Sequence, residues 1–472
     1  MSFTDFSFLV FIAAIAILCR LCPRQSRSLL LLGASYLFYL TWSARGAVLL
    51  AVVTGLTFAA GMGIERARKS QTHAWLTPLA IILLAGYLLA FKIALLGPSR
   101  GIAGLVMPLG ISYTTFKLIS YVLDVHWGKM DASMRLADFA AYVAFFPQIL
   151  AGPIQRPGDY FSQLPPVPAR TADALPRIAW GLVKKLLIAD NLAPAVNYVY
   201  AHLTALHGAP LWVGFYLFPL QMYADFSGLT DIAIGTGRLF GITGPENFNR
   251  PFTATSIGDF WRRWHMSLTN WLADYVFMPL RMATRTAGNL GLAFSISVNM
   301  IAIGLWHGLT WSYLAFGVVH SLYLTVDAFT SRARAKFFKR RRKWDSAASW
   351  MGWLLTFHLV TIGLVFFRAA HISDALWLLG HLFRGLGASG ALFWALVESA
   401  GARTLAIGLA GYAVLELGER YRPDLWLGRI SQGQRGVRWS VWGGVTVLLI
   451  FALALLLAHS GTPRSPFLYE IY

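Results

Sequence analysis

Residues 301–311, IAIGLWHGLTW, hold one imidazole, His307, inside an otherwise apolar run. Hydrocarbon resists polar side chains, so an ionisable group placed there is a functional candidate. Imidazole exchanges a proton near neutral pH, which makes His307 a candidate for proton transfer. Gly304 and Gly308 leave room beside it for a substrate or another backbone, while Trp306 and Trp311 could wall a pocket. His265, on a separate segment, could converge on it to position a substrate or assist the proton. Trp306, on the same run, and Asn299, just before it, are further candidates for contact with a substrate. The competing explanation is structural, a histidine bonded to a neighbouring helix. Proton transfer needs a ring nitrogen of His307 on a wet tunnel; the structural role needs it sealed.

Other polar residues carry less chemistry. His320 lies thirteen residues after His307 and on one continuous helix would point largely away from it, so it reads as structural. His358 falls in an apolar span, and the sequence leaves its role open. Asp225 and Asp231 do not share a helical face, which argues for separate ion pairs with Arg238, Lys184 or Lys185, or for capping of a broken helix. The glycines near them follow no strand and form no dinucleotide fingerprint. No HExxH or ligand-spaced cluster points to a metal, and no GxSxG points to a serine hydrolase.

The elements that must position these residues are helices in a membrane. Of 472 residues, 57% are hydrophobic and 13% charged, outside the balance of a soluble protein. Roughly a dozen apolar stretches could cross or enter a bilayer, from Phe6–Cys19 to Val441–Ala458, without the alternation of a transmembrane barrel. The fold class is therefore all-α and polytopic, with re-entrant and interfacial helices. The net charge of +19 reads as topology and contact with anionic lipid, with no nucleic-acid partner. Arg20, Arg24 and Arg27, then Arg66, Arg68 and Lys69, then the run Arg332–Lys343, then Arg429, Arg435 and Arg438 would face the cytoplasm, with the N-terminus outside. The first apolar run lacks a basic leader and a small-residue cleavage site, which reads as a retained helix. Cys19 and Cys22 lack the context of a redox or zinc site and read as buried small residues.

One membrane domain is expected over 1–472, with N-terminal helices in 1–100, a core at about 106–370 and C-terminal helices in 371–472. Prolines and glycines make 152–177 an extramembrane or re-entrant loop. An amphipathic, tryptophan-rich helix is expected from Ser256, with Ser256 or Asp259 as N-cap. It would put Trp261, Trp264, His265, Leu268, Leu272 and Tyr275 on one face.

From about residue 106 onward the sequence resembles the membrane-bound O-acyltransferases. The resemblance is to the bacterial branch that includes the alginate O-acetylation protein and the D-alanyl transfer protein of teichoic acid. It rests on the order of MPLGISYTTFKLISYVLDV, FFPQILAGPIQRP, GLVKKLLIADNLA, QMYADFSGLTDIAIGTGRLFG, PENFNRPF, DFWRRWHMSLTNWLADYVFMPL, GLWHGLTWSYLAFGVVHSLYL, GLVFFRA and PFLYEIY. One departure is RMATRTAGN, where relatives often carry a glycine-rich basic turn. The resemblance implies a helical core with a channel, in which an acyl group passes from a cytoplasmic thioester to a hydroxyl on the other side. It carries the family's near-invariant histidine onto His307 and its second histidine onto His265. It also implies acetyl-CoA as donor without a tightly bound cofactor, a bacterial inner-membrane location, and hand-over to a periplasmic acyltransferase that decorates an exopolysaccharide such as alginate. D-alanyl transfer to a teichoic-acid-type polymer is the alternative within the family. A polysaccharide or solute transporter is the alternative outside it, since the same helices and polar residues would serve one.

Overall fold

The fold was analysed in a computed structural model that describes residues 1–94, 108–132, 135–150, 152–169, 171–339 and 345–421, with isolated positions between 447 and 455. The expected last span Val441–Ala458, the tail and the basic residues Arg340–Lys343, Arg429, Arg435 and Arg438 lie outside them. Among the described residues every regular element is a helix. Five helices among the described residues are long and apolar enough to cross a bilayer: Ala44–Ser70, Leu76–Ala94, Arg285–His307, Trp311–Phe337 and Ser346–Arg368. A sixth span is possible if Gly390–Ala400 and Ala402–Arg420, bent by 84° between them, count as one. Their outer faces carry exposed Leu56, Ile82, Leu83, Leu322 and Leu354, the pattern of a chain solvated by lipid. The chain is a multi-pass membrane protein. Several other apolar stretches fold as shorter pieces. The first two form helices of 16 and 14 residues, Phe6–Leu21 and Arg27–Leu40, separated by Pro23 and a single 3-10 turn.

By its internal contacts the chain divides into two compact units. One gathers Met1–Leu182 and Leu229–Glu246. Here Ala44–Ser70 packs on Ile111–His126, and the contact depends on Gly61: a Cβ there would stand 2.4 Å from the Tyr121 hydroxyl oxygen. The proline-rich stretch is docked on the basic ends of the first helices. Arg27 donates to the Pro166 carbonyl at 2.9 Å and Arg20 to that of Ala169 at 3.3 Å. Buried Arg177 answers Asp231 at 2.9 Å and Glu246 at 2.6 Å. Arg238, one of the partners expected for Asp231, instead lies 3.9 Å from Glu246.

The second unit gathers Val183–Gly228 and Asn247–Pro423. Its buried lysines sit on a widened turn, Lys184–Ala189, of the π type that often marks functional or strained places. Lys185 meets Asp225 at 2.7 Å and Asp190 at 3.0 Å, while Lys184 meets Glu419 at 2.7 Å. The separate-pair expectation for Asp225 and Asp231 is met, because the helix Ala209–Phe240 delivers one to each unit.

Removing one member of such a set strands the other without water. Arg177→Met should therefore destabilise the protein by about 3 kcal/mol, read as a lower unfolding midpoint in detergent. An unchanged midpoint would mean that Asp231 and Glu246 are solvated.

Candidate functional site

The site lies within the second unit and is built on three segments. The expected helix from Ser256 begins as predicted, with the Ser256 hydroxyl accepting from the Asp259 N–H at 3.2 Å. It does not continue. The first helix is Ile257–Trp261, the next is Met266–Leu272, and His265 between them holds φ 44° and ψ 50°. A left-handed conformation is costly for a residue with a Cβ and survives only where neighbours impose it. The neighbour is the segment 247–249. Asn249 N–H donates to the Arg263 carbonyl at 3.0 Å and Met266 N–H to the Asn247 carbonyl at 2.9 Å. The Asn247 side-chain oxygen accepts Ser267 N–H at 3.2 Å. Despite the break, the face expected to be apolar is buried throughout, from Trp261 to Tyr275. Periodicity located the buried side chains correctly; it could not reveal that one of them is the break.

The same Asn247 oxygen lies 3.3 Å from His265 Nδ1. Because that oxygen already accepts a backbone N–H, it is an acceptor, so Nδ1 carries the proton and Nε2 is left as the basic nitrogen. The ring is 1% exposed, and burial pushes its pKa down from 6.5 to about 3. His265 is thus neutral across the physiological range.

His307 is the last residue of the helix Gly288–His307. The chain turns there, with Gly308 extended, and resumes as the helix Trp311–Lys339. The Trp306 indole lies 5.9 Å from the His265 ring and 4.8 Å from the His307 ring, so it touches both imidazoles. The other neighbours of His307 are Tyr313 at 6.1 Å and Phe367 at 4.8 Å, and the side chain is 6% exposed. Of the two uses foreseen for Gly304 and Gly308, backbone approach is observed at Gly304, whereas at Gly308 the space is taken by a side-chain ring. A Cβ at Gly304 would stand 2.3 Å from the Tyr313 carbonyl oxygen, and one at Gly308 would stand 2.6 Å from the Tyr313 ring.

Trp311 does not wall this cluster. It opens the following helix with 75% of its surface exposed, because the extended turn at Gly308 swings the chain outward. Asn299 shares the helix of Trp306 two turns earlier, and its Oδ1 is shut from water with no hydrogen-bond partner among the described residues. His320 is structural: Trp261 Nε1 donates to its Nδ1 at 3.3 Å. His358 is likewise committed, accepting from Tyr216 at 3.0 Å and donating to the Leu354 carbonyl at 2.7 Å. Asn247, which assigns the tautomer of His265, was invisible to pattern reading. It stands eighteen residues away in an irregular stretch, and a buried asparagine in such a stretch was the only signal.

The helix Trp311–Lys339 backs the whole arrangement. Tyr313 stacks on His307, His320 holds Trp261, and Asp327 accepts the Gly258 N–H at 2.9 Å, capping the short helix that leads to His265.

Similarity to known proteins bears on what such a pair of imidazoles does. The profile of the membrane-bound O-acyltransferase family matches residues 131–367, which include both histidines. The chain is 36% identical to the probable alginate O-acetylase of Azotobacter vinelandii over 378 residues, 75% of this chain and 72% of the relative. It is 32% identical to the peptidoglycan O-acetyltransferase of Helicobacter pylori, over 58% of this chain and 56% of the relative. It is also 32% identical to the teichoic acid D-alanyltransferase of Bacillus subtilis, over 56% and 69% respectively.

Asn247→Ala should remove both the tautomer assignment and a backbone acceptor, lowering acyl transfer by roughly tenfold or more, while Asn247→Asp, which keeps the acceptor oxygen, should recover much of it. Equal loss in both would refute the positioning role. The folded state resists protonating His265 and the unfolded state does not, so below pH 6.5 the unfolded chain binds the extra proton. Stability should fall as pH drops from 6.5 towards 3, and His265→Asn should flatten that part of the pH–stability curve.

Proposed function

The chain belongs to the membrane-bound O-acyltransferase family and is an O-acyltransferase; on that premise we propose that it moves acetyl from a cytoplasmic thioester to a hydroxyl on the far side of the inner membrane, in support of exopolysaccharide O-acetylation. The observation that supports this reading is the closeness of the Trp306 indole to both His265 and His307. His307 takes the proton of the acceptor hydroxyl as its oxygen attacks the thioester carbonyl. The tetrahedral intermediate collapses, the C–S bond breaks, and the thiolate leaves and is protonated. The net change is one ester and one thiol for one thioester and one alcohol. His265, neutral and fixed by Asn247, orients the substrate or passes the proton. Asn299 and Trp306 share a helix face with the reacting centre and suit a role in stabilising the oxyanion.

Acetyl-CoA fits as donor and is a substrate, with no resident cofactor required. The choice of acetyl and of an alginate-like polymer follows the names of the relatives, several of which are alginate O-acetylases. A periplasmic acyltransferase would complete the route by loading the polymer. The reading requires substrate to reach His307 by a path that opens beside Trp306, Tyr313 and Phe367.

His307→Ala should insert into the membrane at wild-type levels and lower transfer of labelled acetyl to the acceptor by about a thousandfold. Normal transfer in that variant removes His307 as the base. Label arriving from D-alanine instead of acetate would move the protein to the D-alanyl branch, and solute movement without any acyl donor would favour a transporter.

A further inference from the structure

A separate cavity of about 530 Å³ opens in the second unit, and neither histidine lines it. Its walls are the side chains of Leu220, Phe252, Trp350, Trp353 and Phe357. They are fixed before any ligand arrives. Trp353 Nε1 donates to the Phe252 carbonyl at 2.8 Å, and the Phe357 ring packs on Phe252 at 5.7 Å and on Trp353 at 6.3 Å. Gly352 lets this wall close, since a Cβ there would stand 2.6 Å from the Thr255 carbonyl oxygen.

The polar edge carries Tyr412 and Glu416. Arg250, next to the wall segment Pro251–Thr253, is close enough to Glu416 to act on it electrostatically. Yet among the described residues neither side chain makes a salt bridge, and Arg250 Nε is shut from water without a hydrogen-bond partner. Opposite charges held near each other and unjoined, beside an apolar aromatic hollow, match a ligand that is itself zwitterionic and amphiphilic. An anionic lipid would set its charge against Glu416. A purely apolar ligand would cover both charges and leave them unanswered. A multiply phosphorylated donor would need several cations, whereas the lining holds no lysine or arginine and Arg250 stands alone beside it, next to the wall segment. Trp350, two-thirds exposed near the start of the span Ser346–Arg368, sits where tryptophans meet headgroups.

We propose that this cavity binds a zwitterionic aminophospholipid, its ammonium at Glu416 within the aromatic walls, one chain running along Trp353 and Phe357, and its phosphate outside the lining on the side of Arg250. An ammonium over tryptophan and beside a carboxylate gains cation–π and charge-assisted contacts together.

The test is native mass spectrometry of the full-length purified protein offered equal amounts of phosphatidylethanolamine and phosphatidylglycerol, with and without acetyl-CoA. Wild type should retain phosphatidylethanolamine preferentially. Glu416→Gln should lower that retention about tenfold and leave phosphatidylglycerol unchanged. Ser349→Trp, which fills the cavity from an exposed rim position, should do the same and decides the matter if Glu416→Gln fails to fold. Undiminished retention in a folded variant, a preference for phosphatidylglycerol, or displacement of the lipid by acetyl-CoA would overturn the proposal.

Discussion

A polar group taken out of water must take a partner with it. Among the described residues the buried charges obey that constraint at Lys184, Lys185 and Arg177, and much of the architecture follows from it. Lys185 is buried with two carboxylates, Lys184 with one, and Arg177 with two more drawn from distant stretches of sequence. These pairings dictate which helices lie together, because an unanswered charge in hydrocarbon costs several kcal/mol. His265 is the same rule applied to a neutral group. Asn247 answers one nitrogen of its ring and the backbone of the break it occupies, so one amide oxygen fixes position and tautomer together.

Among the described residues several buried polar atoms have no hydrogen-bond partner, and two of these places are the ones to which we give functions. Asn299 keeps a buried oxygen unanswered on the helix face of Trp306, and Arg250 and Glu416 stay unjoined at the edge of the aromatic cavity.

Much of this was legible in the sequence because hydrophobic periodicity and burial are local properties. The apolar spans, the cap at Ser256, the buried face from Trp261 to Tyr275 and the separation of Asp225 from Asp231 are set by residues within a few turns of one another. What stayed hidden depends on contacts across the chain. Nothing near His265 announces a left-handed residue, since no glycine or asparagine stands there and the constraint comes from 247–249. Trp311 looked like a wall because four residues separate it from His307, yet the extended turn at Gly308 sends it outward. Arg177 was missed as the partner of Asp231 because its own segment reads as a loop broken by proline.

The helix Trp311–Lys339 has a further implication. It meets the His307 ring near its start and holds the segment leading to His265 through His320 and Asp327 further along. Fourteen residues, about 21 Å of rigid rod, separate Tyr313 from Asp327. A tilt of that rod displaces the supports of both imidazoles in concert, so their spacing is protected against deformation of the bilayer while their joint orientation is not. Membrane thickness, acting on one span, would then tune the pair as a single mechanical unit.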